Sequence, residues 1–155
     1  MIREGMRSEA KAQLANYRKN GDMVANWDAA TDPQAKRGDN MGIRGSVASD
    51  PTARAATSRA SPPKYITEAR EWIAAINDAW ADLAREDADD GLGEHGKAFV
   101  LEEYYGLSKP SLLKYSERVD AICENCAISQ STMNAWLRDC VEVVVLHAVS
   151  RQLLA

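Results

Sequence analysis

Residues 118–139, RVDAICENCAISQSTMNAWLRD, constrain the fold of this chain more than any other stretch. Ile122, Cys123 and Cys126 supply apolar positions ahead of a tight turn at Ala127-Ile128-Ser129, and Ile128, Met133, Trp136 and Leu137 recur at roughly helical spacing after it. Ser129 is placed to cap the second helix, because its hydroxyl accepts a bond from a backbone N–H that the first helical turn leaves unpaired. Cys123 is small enough for a close helix crossing, and Ala127 stands at the turn position where many such units carry glycine. The pattern is that of two short helices sharing one core, a helix-turn-helix.

Between the apolar positions of the second helix lie Gln130, Ser131, Thr132, Asn134 and Arg138, a set rich in hydrogen-bond donors and acceptors. Such side chains can read base edges in a major groove. A polar outer face is also what any surface helix of an all-helical domain shows, so these residues alone leave both readings open. Lys114 and Arg118, the cations on the approach to the turn, complete the candidate DNA-binding set.

A length of 155 residues predicts one domain, or one small domain with an extension. Hydrophobic residues make up 45%, enough for a real core. No apolar run approaches the ~18 residues that span a bilayer, and MIREGMRSEA lacks the apolar segment of a signal peptide, so the expected location is the cytoplasm, with no membrane partner. Three cysteines, an odd number, argue for reduced thiols. The net charge of −4 hides an asymmetry: residues 1–64 carry 11 Lys+Arg against 7 Asp+Glu, and residues 65–155 carry 8 against 16. The candidate DNA-reading unit lies in the acidic half. Phosphate contacts supply most non-specific affinity, so dimerisation, the basic N-terminal half or a protein partner must add to a lone copy.

In chain order, residues 1–27 read as a basic helical segment, with Met6, Ala10, Leu14 and Tyr17 on one stripe and a weakening at Asn20-Gly21. Its basic face is expected to be solvated rather than bound to phosphate. Residues 28–50, rich in Asp, Gly, Asn and Ser, predict a mobile linker. Ser49-Asp50-Pro51-Thr52 is a helix start, with Asp50 as cap and Pro51 at the first helical position, and Pro62-Pro63 ends or kinks that helix. Ile66, Ala69, Ile73, Ile76, Trp80 and Leu83 then form a heptad seam, with Tyr65 and Trp72 on its flank, so residues 51–86 are expected to pack or dimerise. EDADDGLGEHGK reads as a solvated loop. Its Gly91-Leu92-Gly93-Glu94-His95-Gly96 has dinucleotide-fingerprint spacing, but no strand precedes it, and its carboxylates miss calcium-loop spacing.

Residues 97–155 form the expected DNA-binding region: a helix over Lys97–Tyr105, the two motif helices, and one long apolar helix through Val141, Val144, Val145, Ala148 and Val149 that must be covered by another element or another copy. Cys123 and Cys126 have zinc-ligand spacing and Cys140 and His147 follow, yet the two pairs differ in spacing and the first pair fits as core, so neither metal nor cofactor is expected. His147 is expected to be satisfied by packing and one hydrogen bond. No nucleophile has a visible base partner, so catalysis is not predicted.

The order of these parts carries a resemblance. Asn16-Tyr17-Arg18 on a basic helix, the loop ending in Ser49-Asp50-Pro51-Thr52-Ala53-Arg54-Ala55-Ala56, Leu101-Glu102-Glu103-Tyr104-Tyr105-Gly106 and the terminal helix-turn-helix resemble phage transcriptional regulators of the ArpU/RinA type, over nearly the whole chain. The resemblance implies an all-helical protein whose C-terminal half is similar to the promoter-reading helix-turn-helix of sigma factors. It further implies a regulator of late packaging and lysis genes, with Gln130 to Arg138 as recognition helix. Double-stranded DNA is then the expected partner and a homodimer or higher homo-oligomer the expected assembly; a third reading is a helical interaction module that contacts RNA polymerase through its acidic half and barely touches DNA. A small terminase subunit, in which the same motif marks DNA for packaging, is the alternative.

Overall fold

Where apolar groups recur every three or four residues, the chain is helical. A computed structural model describes residues 2–31 and 61–155. The described residues form six α-helices: α1 (Glu4–Ala15), α2 (Tyr17–Thr31), α3 (Lys64–Asp89), α4 (Lys97–Tyr105), α5 (Tyr115–Cys126) and α6 (Gln130–Ser150), with a 3-10 turn at Gly93–His95. No strand occurs among the described residues, and no helix among them is long and apolar enough to cross a membrane. The predicted all-helical class holds.

Backbone contacts divide the chain into two compact units, one of Met1–Lys19 with Glu71–Ala155, the other of Asn20–Arg70. Within the second, Arg70 pairs with Asp28, and Ile66 and Ala69 are buried. Residues 28–31, expected to begin a linker, continue α2. The rest of the expected linker, the Asp50 cap and the helix after it lie outside the described residues.

The first unit is organised on α6. Its C-terminal two thirds place Cys140, Val141, Val144, Val145 and Ala148 against Ala10 and Leu14 of α1, Trp72, Ile76, Ala79 and Leu83 of α3, and Ala98 and Leu101 of α4. Its first turns place Met133 and Leu137 against Val100 of α4 and Val119 and Ile122 of α5. The apolar last helix is thus largely covered from within the chain. α4 also serves both clusters, so α4 and α6 are the two beams that join them.

Several expectations are corrected. The break in the N-terminal segment falls at Asn16, not at Asn20-Gly21, and Ala10 and Leu14 of α1 are fully buried. On α3 the buried stripe runs Ile66, Ala69, Trp72, Ile76, Ala79, Leu83 and on to Asp87, while Ile73 and Trp80 are only half-buried. A straight helix of 3.6 residues per turn drifts from a heptad seam within two turns, which brings Trp72 inward from the flank. The predicted solvated loop is wrong at its start, since α3 continues to Asp89 and Asp87 is 1% exposed. Its carboxylate accepts from the backbone N–H of Lys97 at 3.0 Å and of Ala98 at 2.8 Å, and so satisfies the first amides of α4.

Among the described residues His147 hydrogen-bonds Asp82, Nε2 to Oδ2 at 2.6 Å. The cysteines are free and divide between the two clusters. Burial pushes the Cys140 thiol up to about 12, and thiolate is the reactive form. Alkylation at neutral pH is therefore expected to label the half-exposed Cys123 and Cys126 in the native protein and Cys140 only on unfolding; peptide mass mapping checks the order.

Candidate nucleic-acid interface

The turn at 127–129 is built in three steps. Lys114 precedes the first turn of α5, and its backbone N–H donates to Glu117 Oε2 at 3.4 Å. It ends at Ala127, which takes the left-handed conformation (φ 55) and lets the Ile128 amide reach back to the Cys123 carbonyl at 3.0 Å. This closing bond is one that commonly ends a helix on a left-handed residue. Ser129 Oγ then accepts from the Thr132 amide at 3.1 Å and opens α6.

Beneath the turn, Met133 and Leu137 are held by Val119 and Ile122, with Ile128 and Trp136 packed at the edge and Cys123 Sγ 4.0 Å from Met133 Sδ. Replacing Ser129 by Ala is expected to cost about 1 kcal/mol. Ala127→Gly is expected to raise stability by up to about 1 kcal/mol, because only glycine takes this conformation without a Cβ penalty. Urea denaturation of the two variants measures both signs.

With the rear of α6 fixed, its front is defined. Gln130, Ser131, Asn134 and Arg138 are exposed along one stripe, and none of their side chains has a partner among the described residues. No acidic residue stands in the first turn of α6, so the partial positive charge of the helix start is not offset there. Thr132 departs from the predicted set: it is half-buried off the stripe and its hydroxyl accepts from Ser129 Oγ at 3.1 Å. Arg118 departs further. Its Nη1 donates to the Tyr104 carbonyl at 2.8 Å, joining α5 to the end of α4, so it is a brace within the fold. Lys114 is exposed, at the start of α5.

Asn134 and Arg138 open onto a cleft of about 500 Å³ that is also lined by Glu4, Arg7 and Lys11 of α1, Tyr104 and Tyr105 of α4, and Leu137 and Val141 of α6. Arg7 is held by Glu142 at 2.9 Å and Glu4 at 3.4 Å, and its pKa is raised chiefly by the bond to Glu142. Lys11 is exposed. Burial pushes the Tyr105 phenol up to about 12, so at neutral pH it remains uncharged. Sequence reading assigned the α1 cations to a solvated face. The signal that marks them is the spacing of Arg3, Arg7 and Lys11, which sets three cations on one face beside the buried Ala10 and Leu14.

Among the described residues, no group of three or more His, Cys, Asp or Glu is placed to hold a metal ion. No protein-family model, curated protein or solved structure matches the chain.

Proposed function

We propose that the protein binds double-stranded DNA through the first half of α6 and regulates transcription, with late genes of a phage or prophage as its targets. The observation that carries the first part is the stripe of Gln130, Ser131, Asn134 and Arg138, polar and without side-chain partners among the described residues, on a helix that places Met133 and Leu137 in the core. A helix presented in this way can lie in the major groove with its N-terminal residues toward the bases. Asn134 has the chemistry to pair with adenine N6 and N7, and Arg138 with guanine O6 and N7. Lys11 is suited to phosphate, fixing the register without reading sequence.

The phage setting rests on the sequence resemblance to ArpU/RinA-type regulators. The third reading, contact with RNA polymerase, draws on the acidic balance of residues 65–155. The packaging reading draws on the apolar side chains left in solvent, Leu146 at 60% and Val149 at 40% exposure on α6, which suit an assembling subunit. Particle mass separates the two, a ring favouring packaging.

The deciding experiment selects duplexes from a random-sequence pool with the full chain. Binding of the selected site is then compared for the parent and the Asn134→Ala/Arg138→Ala variant across a salt series. Failure to enrich any sequence, at low salt, ends the proposal.

A further inference from the structure

Two features of the first unit remain without a role. The loop between α4 and α5 carries Leu112 at 97% and Leu113 at 47% exposure, flanked by Lys109 and Lys114. This loop is held in place: Leu107 is 3% exposed at its start, Gly106 turns the chain with φ 63, and Ser108 Oγ donates to Glu102 Oε1 at 2.7 Å. A pinned loop that presents two leucines to water carries an apolar patch without a cover. The second feature is a cleft of about 410 Å³ between α3, the 3-10 turn and α4. Its walls include the half-buried rings of Trp80 and Phe99, and Glu94, Glu102 and Glu103 stand at it. Glu94 and Glu103 have no ion pair among the described residues. It shares no lining residue with the Asn134 cleft.

The two features are opposites: an apolar tip between lysines, and an aromatic slot beside carboxylates. We infer that the chain forms a homodimer in which the Leu112-Leu113 loop of each copy enters the Trp80–Phe99 cleft of the other, with Lys114 facing the partner's Glu103. The occupant is a second copy because charge and apolar character match on one chain. Reciprocal exchange follows from adjacency, because Glu102 and Glu103 line both this cleft and the hollow beneath the loop at Gly106 to Ser111. Loop and slot that lie side by side can be exchanged across a twofold axis, so that each copy gives and receives one contact. Opposite charges at the rim orient the pair, and the leucines supply the affinity.

Sedimentation velocity of the full chain over a concentration series tests this. The parent is expected to sediment as a dimer. Leu112→Asp/Leu113→Asp is expected to raise the dissociation constant by about a hundredfold, with unchanged circular dichroism, because both residues lie outside the core. Glu103→Lys and Lys114→Glu are each expected to weaken the dimer, and the double variant to restore it. A parent that remains monomeric, a leucine variant as dimeric as the parent, or a double charge variant no tighter than the single ones overturns the inference. Open-ended growth with concentration also overturns it, since reciprocal exchange closes at two.

Discussion

Replacing Asn134 and Arg138 together by alanine is expected to lower affinity for the selected DNA site by on the order of a hundredfold or more, each base contact of this type being worth about 1–3 kcal/mol. Helical content and unfolding midpoint are expected to stay as they are. Both side chains are exposed and without partners among the described residues, and such surface changes stay within about 0.5 kcal/mol. Affinity for unrelated duplexes is expected to fall far less, since non-specific binding depends on phosphate contacts.

Lys11→Ala is the matched control. It is expected to weaken binding to all sequences alike and to reduce the salt slope by about one phosphate contact. Fluorescence anisotropy on both duplexes, over a salt series, separates the two behaviours. Equal losses on selected and unrelated DNA would mean that Asn134 and Arg138 read nothing.

The contrast between these two residues and the rest of the predicted set shows what could be read from the residues. The turn at Ala127 and the Ser129 cap were legible because their signals are local: a hydroxyl before a helix, two apolar sets and a small residue between them. The bounds of α4 were legible for the same reason, with glycine on either side of Lys97–Tyr105. Arg118 was not. Its partner is the carbonyl of Tyr104, a group that every residue carries, so nothing in the residue types marks it. Thr132 looked like a member of the reading face because polarity, not direction, was counted; its place one turn after Ser129 is what commits it to the cap. The cleft beside Asn134 depends on α1 packing onto α6, a pairing across most of the chain. Only the joint burial of Ala10, Leu14, Val141 and Val145 makes it visible.

Asp87 is the sharpest case of a residue misread from composition, and it predicts the largest effect on stability. Asp87→Ala is expected to cost about 2–4 kcal/mol, the sum of two charge-assisted bonds to the Lys97 and Ala98 amides that would be left buried or poorly paired. Gly96→Ala is expected to cost as much for a different reason. A Cβ at residue 96 would lie 2.3 Å from Asp87 Cγ and 2.6 Å from its Oδ2, so the carboxylate must leave the amides it binds. The backbone there is ordinary, with φ −113, and the demand for glycine is one of space alone.

A double-mutant cycle decides between this account and independent effects. With Asp87 already truncated, the space at 96 is open, so Asp87→Ala/Gly96→Ala is expected to cost little more than Asp87→Ala alone. Urea denaturation by linear extrapolation measures all four corners; additive losses would show that the two residues do not share one contact. Because α4 supplies Ala98 and Leu101 to one cluster, Val100 to the other, and Tyr104 and Tyr105 to the cleft, loosening its start is expected to weaken the link between α6's core and the turn at 127–129 proposed to face DNA. If α6 reads DNA as proposed, Asp87→Ala should lower that affinity modestly at temperatures well below its midpoint, although the residue lies outside the proposed reading face.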